Sequence, residues 1–276
     1  VRVGIIGDVH GHARELAEMI GELEERGVDR IILLGDLVDR GPESKACLRI
    51  AMTWQFRARS GELHSLEVIS GNHEDAYVRI RRRVPKPGRD RIPTPEDRRL
   101  YQQLTRAELD WMETLPRYIV VHELDLFCVH GGVTPHMATP EIGGDYMLRT
   151  RYLDDRYYEL PGTMMSDVFW AEVYDGRWGT IVFGHESHRE IARYEHAIGI
   201  DGEGFRRIHA VIVSNEKDDE QLEPITVPYG DQARDSDTTF DPRRFHDELG
   251  RLFRRERRGR NRGRYARQLE PWERYS

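Results

Sequence analysis

Lysine is almost missing from this 276-residue chain: of its 42 basic residues only Lys45, Lys86 and Lys217 are lysines. Heavy arginine use of this kind is what a G+C-rich genome produces, so it carries no functional meaning alone. Cysteine is equally scarce. Cys47 and Cys128 lie in different segments without C-x-x-C spacing. The expectation is two buried thiols in a reducing compartment rather than a redox pair, hence a cytoplasmic protein. Long apolar runs are absent too. No stretch approaches the roughly 20 residues of a membrane helix, so no membrane partner is expected. The start, VRVGIIGDVHGH, lacks the apolar core of about 7–15 residues and the cleavage site of a signal peptide, and reads as a first strand. With 38% hydrophobic and 33% charged residues, the chain has the make-up of one large domain with extensions. The net charge is −7, yet 243–267 is strongly basic, so the remainder is more acidic than the total.

The first third alternates. Residues 2–6 (RVGII), 30–34 (RIILL) and 66–70 (LEVIS) are short apolar strands, each followed by a Gly-containing loop and a helix-period segment. Pro42 suits the first turn of the second helix. Three β-loop-α units predict a mainly parallel sheet with crossover helices. Ligands then belong at the C-terminal strand ends. Residues 81–97, with four prolines, read as an exposed insertion, and 98–114 as a helix. Segments 118–122 and 125–129 read as a strand pair across Glu123–Leu124 that delivers His130. Residues 136–166 read as irregular, and 180–183 as a strand delivering His185. Residues 197–201 and 208–213 read as antiparallel strands. The expected domains are 1–229, catalytic, and 230–276, a linker with a basic tail.

The chemistry sits in the loops. Asp8 and His10, Asp36, Asn72, His130 and His185 each follow an apolar strand, next to glycines that let backbone approach a ligand closely. Oxygen and imidazole donors together suit Mn, Fe, Zn or Ni rather than Mg or Ca. Any one of these motifs is weak, and Asn72 could simply cap a helix. Their joint order is the signal.

GDVHG, GDLVDRG, GNHE, HGG and FGH together resemble the metallophosphoesterases, in particular the phosphoprotein phosphatase branch with its serine/threonine phosphatases and dinucleoside-tetraphosphatase-like enzymes. The resemblance covers roughly residues 2–213. It implies an α/β fold: a calcineurin-like β-sandwich flanked by helices, with a βαβαβ start. It also implies two divalent metal ions, with Mn2+ expected and Fe, Zn or Ni as alternatives. Asp8 and His10 would bind the first, Asp36 would bridge, and Asn72, His130 and His185 would bind the second. Hydroxide held between them would attack phosphorus. His73 would protonate the leaving oxygen, Asp39 would orient His73, and Arg40 would grip phosphate oxygens.

Some features depart from the pattern. Glu172 stands where relatives carry a second phosphate-binding arginine, which leaves Arg177 as the nearest substitute and Arg149 or Arg151 as others. His188 follows FGH by three residues and reads as a surface histidine, with a place near the mouth as the other option. IDGEG at 201 diverges from the family's terminal turn. The arginine-rich tail could bind nucleic acid or be a solvated end. The leading expectation is a phosphomonoesterase acting on phosphoserine or phosphothreonine in proteins. A hydrolase of dinucleoside polyphosphates or RNA 5′ ends is the alternative. A dead scaffold that binds nucleic acid is the reading from another class. Oligomeric state is not legible.

Overall fold

Along the first strand, Val3 and Ile5 face one way and Gly4 and Ile6 the other, and this alternation sets the layering. The computed structural model describes residues 1–59, 64–82, 95–161, 164–215 and 222–230. The basic tail at 243–267, most of the 81–97 insertion and all but the first residue of 230–276 lie outside the described residues. Val1–Gln232 form one compact unit.

Its elements run β1 (Arg2–Ile6), α1 (Ala13–Glu25), β2 (Arg30–Leu33), α2 (Ser44–Arg59), β3 (Ser65–Val68), α3 (Asn72–Arg82), α4 (Pro95–Gln103), α5 (Arg106–Thr114), β4 (Tyr118–Val121) and β5 (Leu126–Val129). Then come β6 (Tyr152–Leu153), β7 (Val168–Phe169), β8 (Thr180–Ser187), β9 (Ala192–Arg193), β10 (Ala197–Asp201), β11 (Arg207–Ser214) and β12 (Leu222–Pro228). One sheet has the order β12-β11-β1-β2-β3 and the other β4-β5-β8-β10-β9, each of five strands. In the first, β1, β2 and β3 are parallel, with Ile5 opposite Ile32 and Ile31 opposite Leu66. In the second, β5, β8 and β10 are parallel. Val3, Ile5, Ile32 and Val211 of one sheet share a buried cluster with Val121, Cys128, Val182 and Ile200 of the other. The sheets therefore pack face to face. Burying each such side chain contributes about 1.5–3 kcal/mol. Helix α1 covers the outer face of the first sheet through Leu16, Met19, Ile20 and Leu23. There a Cβ on Gly4 would lie 2.8 Å from Leu23. On the outer face of the second sheet Met147, Phe169 and Trp170 pack with Phe127 and Phe183. The α/β sandwich with a βαβαβ start is thus present.

Four local expectations need correction. Helix α2 begins at Ser44, so Pro42 lies before the helix, in the turn that carries Arg40. The 98–114 segment is two helices, because Thr105 and Glu108 form a capping box: Thr105 Oγ1 accepts from Glu108 N at 3.2 Å and Thr105 N donates to Glu108 at 2.7 Å. A box of this kind starts a new helix instead of continuing an old one. Strands β10 and β11 do not pair with each other. Strand β10 joins β8 in parallel, and β11 joins β1 and β12 antiparallel. A 3-10 turn at Glu203–Phe205, followed by left-handed Arg206 (φ 58°), carries the chain from one sheet to the other. Finally, β8 does not stop at Phe183. It continues to Ser187 across a register shift against β10.

The sheets approach closely at Gly7, where a Cβ would stand 2.1 Å from the Ile200 carbonyl oxygen. Gly7→Ala is expected to destabilise the fold by about 1–3 kcal/mol through overpacking. Urea unfolding checks this, and an unchanged midpoint would show that the sheets can separate there at no cost.

Candidate metal centre

All the motif loops meet at the C-terminal ends of the parallel strands. The β1 loop brings Asp8 and His10, the β2 loop Asp36, Asp39 and Arg40, and the start of α3 brings Asn72 and His73. His130 follows β5. His185 lies inside β8, at the bulge, with φ 64°. A bulge re-aims one side chain without ending the strand. Among the described residues eight non-glycine residues have positive φ, and five of them are His10, Asp36, Asp39, Arg40 and His185. Left-handed backbone at such residues is strained and persists where surrounding contacts enforce it.

Two groups of donors form. His10, Asp36 and His73 can place ligand atoms within 4.8 Å of one another, and so can Asp36, His130 and His185. Asp36 belongs to both. Its Oδ2 lies 3.5 Å from His10 Nε2, 3.3 Å from His130 Nε2 and 3.8 Å from His73 Nε2. Asp8 Oδ2 is 3.9 Å from His10 Nε2. Both Asp8 oxygens accept the backbone N–H of His185 at 3.2 Å. Asn72 Oδ1 lies 2.9 Å from His130 Nε2.

The donor chemistry fits cations. His10 Nδ1 meets the Val38 carbonyl at 2.9 Å and His130 Nδ1 meets that of Leu34 at 2.9 Å. In each ring Nδ1 is thereby engaged by a carbonyl and Nε2 is the nitrogen that faces inward, and against the effect of burial Asp36 raises the pKa of His130. The buried His10 Nε2 has no hydrogen-bond partner. The Nε2 atoms of His10 and His130 converge with carboxylate oxygens and the Asn72 oxygen, a set that a positive charge between them, as protons or as a cation, would satisfy.

Electrostatics sharpen this. Burial, then Asp201 and Asp36, raises the Asp8 carboxyl well above the usual range. Burial acts the same way on Asp36, but His130, His73 and His10 outweigh it and hold Asp36 well below. Burial drives His10 down to about 3. Burial, with Arg151 and His130 beside it, holds His185 well below the normal value. For His73 burial is outweighed by Asp36 and Asp39, so its pKa rises.

His73 Nδ1 lies 2.6 Å from Asp39 Oδ2, the Tyr77 hydroxyl donates to Asp39 Oδ1, and Asp39 N donates to Ser44 Oγ at 3.0 Å. Arg40 Nη1 donates to Glu203 Oε2. Arg177 is not brought to this group. It is paired with Asp175 at 2.8 Å and donates to the Pro135 carbonyl at 3.0 Å, on the rim of a groove lined by Trp170, Tyr174 and Trp178. Arg149 and Arg151 come closer: Arg151 donates to the His185 carbonyl at 2.6 Å, and Arg149 Nη2 lies 3.5 Å from that of Asn72. His188 is half-buried against Phe169, Phe183 and Tyr194, not on the open surface.

Sequence reasoning passed over Glu74. Fully buried, it accepts N–H groups of Asp36 at 2.8 Å, Leu37 at 2.8 Å and Gly71 at 3.0 Å. Burial and Asp36 push it up to about 7, against the pull of those donors. The clue was present, since Glu74 is the last residue of GNHE. Tyr77 and Glu203 carried no comparable motif signal.

Two outcomes follow for this centre. Glu74→Gln leaves a buried backbone N–H facing an amide NH2, and is expected to cost about 1–3 kcal/mol in denaturant unfolding. No loss would mean the loops hold themselves. An ion held by Asp8 would require its ionised carboxylate, whose raised pKa keeps its proton further up the pH scale, whereas burial favours neutral His10. Affinity is therefore expected to fall as pH drops, with protons released on binding. Calorimetry in buffers of different ionisation enthalpy checks this, and uptake without proton release would remove Asp8 from the ligand set.

Residues 1–208 match the calcineurin-like phosphoesterase family. A symmetrical bis(5′-nucleosyl)-tetraphosphatase of Proteus mirabilis is 29% identical over 136 residues, 48% of this chain and 44% of that protein. The match thus spans less than half the length of that relative. An asymmetrical bis(5′-nucleosyl)-tetraphosphatase of Bacillus subtilis is 26% identical over 226 residues, 71% of this chain and 84% of that one. A solved structure named provisionally as a diadenosine tetraphosphatase superposes with TM-score 0.65 at 23% identity, covering 83% of this chain and 94% of its own, a likeness of fold. With three quarters of its length matched by one family, and its donors gathered at the strand ends of the sandwich, the chain belongs to the calcineurin-like phosphoesterases.

Proposed function

We propose that the chain is a two-metal phosphoesterase whose substrates are dinucleoside polyphosphates. The observation that carries the chemistry is the single carboxylate of Asp36 shared by two groups of imidazole donors. Asp8 and His10 would hold one ion with Asp36, and Asn72, His130 and His185 the other. Two divalent ions held there, Mn2+ in our reading, would supply an activated water and neutralise phosphoryl charge. The protein's own residues do the rest. Asp39, fixed by Tyr77, keeps the His73 proton on Nδ1 when the ring is neutral and favours the doubly protonated ring. His73 Nε2 then carries a proton for the leaving oxygen. Arg40 supplies a planar fork for phosphoryl oxygens.

The substrate reading shifts the emphasis of the sequence expectation. Phosphoserine and phosphothreonine rested on the HGG motif. The relatives named as tetraphosphatases, one of them matched over 84% of its length, favour a phosphoanhydride. A comparison of diadenosine tetraphosphate, a phosphopeptide, p-nitrophenyl phosphate and triphosphate-capped RNA with Mn2+ tests it. The dinucleotide is expected to give the highest kcat/KM. A preference for the phosphopeptide would restore the protein-phosphatase reading, and no turnover on any of them with metal bound would point to a dead scaffold.

His73→Asn is expected to lower kcat roughly 10²–10⁴-fold while metal content by elemental analysis stays the same. Loss of metal in that variant would make His73 a ligand instead of the acid.

A further inference from the structure

Glu203 opens the 3-10 turn between β10 and β11, and that turn is tightly built. Asp201 Oδ1 accepts the Glu203 backbone N–H at 2.8 Å, Ser187 Oγ donates to Asp201 Oδ2 at 2.9 Å, and Gly204 N donates to Ser187 Oγ at 3.2 Å. The Asp201 side chain is buried. The carboxylate of Glu203 is thereby held against the Arg40 guanidinium. The Glu203 side chain is 18% exposed and that of Arg40 42%, so the pair is reachable from solvent. The charges of Asp36 and Asp8 also act on Arg40. The guanidinium therefore contacts Glu203 at the rim and lies within the electrostatic reach of Asp36 and Asp8.

An isolated arginine would attract any phosphate, the more strongly the more charge it carries. With Glu203 attached, the pair is close to neutral and a fixed negative charge stands beside the bound phosphoryl oxygens. A terminal phosphate monoester loses its second proton near pH 6 and carries almost two charges at neutral pH. An internal phosphoryl group, in a diester or a polyphosphate chain, carries one. Repulsion from Glu203 scales with that charge. Phosphates further along a chain lie in water and are screened beyond about 8–10 Å.

We infer that Glu203 is a specificity-determining residue that biases the Arg40 site toward singly charged internal phosphoryl groups and against terminal dianionic phosphates. This rests on the reading of Arg40 as a phosphate clamp.

The test uses the full chain loaded with Mn2+, as wild type, Glu203→Gln, Glu203→Asp, Arg40→Ala and the Arg40→Ala/Glu203→Gln double variant. Glutamine keeps the side-chain length and the acceptor toward Arg40 but removes the charge. Aspartate keeps the charge. Inorganic phosphate binding is measured by calorimetry at pH 8, and kcat/KM is measured for p-nitrophenyl phosphate and bis(p-nitrophenyl) phosphate. Glu203→Gln is expected to tighten phosphate roughly three- to tenfold, as removal of one charge at a partly exposed rim allows. It should raise kcat/KM on the monoester by a similar factor and on the diester by about its square root. Glu203→Asp should keep the wild-type ratio of the two substrates. The gain should shrink in the Arg40→Ala background, where phosphate is no longer drawn in beside Glu203. If Arg40→Ala weakens phosphate binding but Glu203→Gln leaves it unchanged or weaker, the inference is overturned and the clamp survives. If Arg40→Ala leaves phosphate binding unchanged, the clamp itself fails and the inference with it.

Discussion

Everything at the centre depends on one buried carboxylate that would touch neither metal nor substrate. Glu74 takes the backbone N–H groups of Asp36, Leu37 and Gly71, and so ties the loop after β2 to the loop after β3. That tie holds Asp36 in left-handed backbone, with φ 50°. In this conformation the Asp36 side chain reaches both donor groups and also accepts the His73 N–H at 2.9 Å. A free chain would not populate this arrangement, since left-handed aspartate is a minor conformer. The arrangement of the donor groups is thus imposed through hydrogen bonds to a residue one step removed from them.

Glycine supplies the room. A Cβ on Gly71 would fall 2.1 Å from Asp36 Oδ1, and one on Gly184 would fall 2.0 Å from Asp8 Oδ1. Both carboxylates are packed against bare backbone, and water is kept off them. This dryness explains why burial is the largest influence on Asp8, His10, Asp36 and His185 alike. Preformed, desolvated donors lose little freedom when a cation arrives, and charge interactions there are stronger than in water.

Much of this was legible in the sequence because it is local. Short apolar runs ending in Gly-Asp, Gly-Asn or His-Gly mark strand ends, and parallel strands bring their ends together without further information. Asp8, Asp36, Asn72, His73 and His130 could therefore be picked out in order. What escaped was non-local or geometric. Strands β10 and β11 are adjacent in sequence, and nothing in their alternation says that they belong to different sheets. The bulge at His185 leaves no compositional mark, so the strand seemed to end there. The break between α4 and α5 was readable, since Thr105 and Glu108 have capping-box spacing, but the helical periodicity hid it. Arg177 has the residue type of a phosphate clamp, and only three-dimensional contacts reveal that Asp175 occupies it.

Asp8, His10, Asp36, Asn72 and His73 hang from one sheet, whereas His130 and His185 belong to the other. The core between the sheets is apolar contact, which has no direction and resists sliding only weakly. Along this edge the joint is directional: the His185 N–H is shared by both Asp8 oxygens across the seam. An ion coordinated from both halves would add a rivet at the same place, one that would have to be withdrawn before the layers could shear. Folded lifetime and catalytic readiness would then be two readouts of one quantity, the activity of the free metal in the surrounding solution.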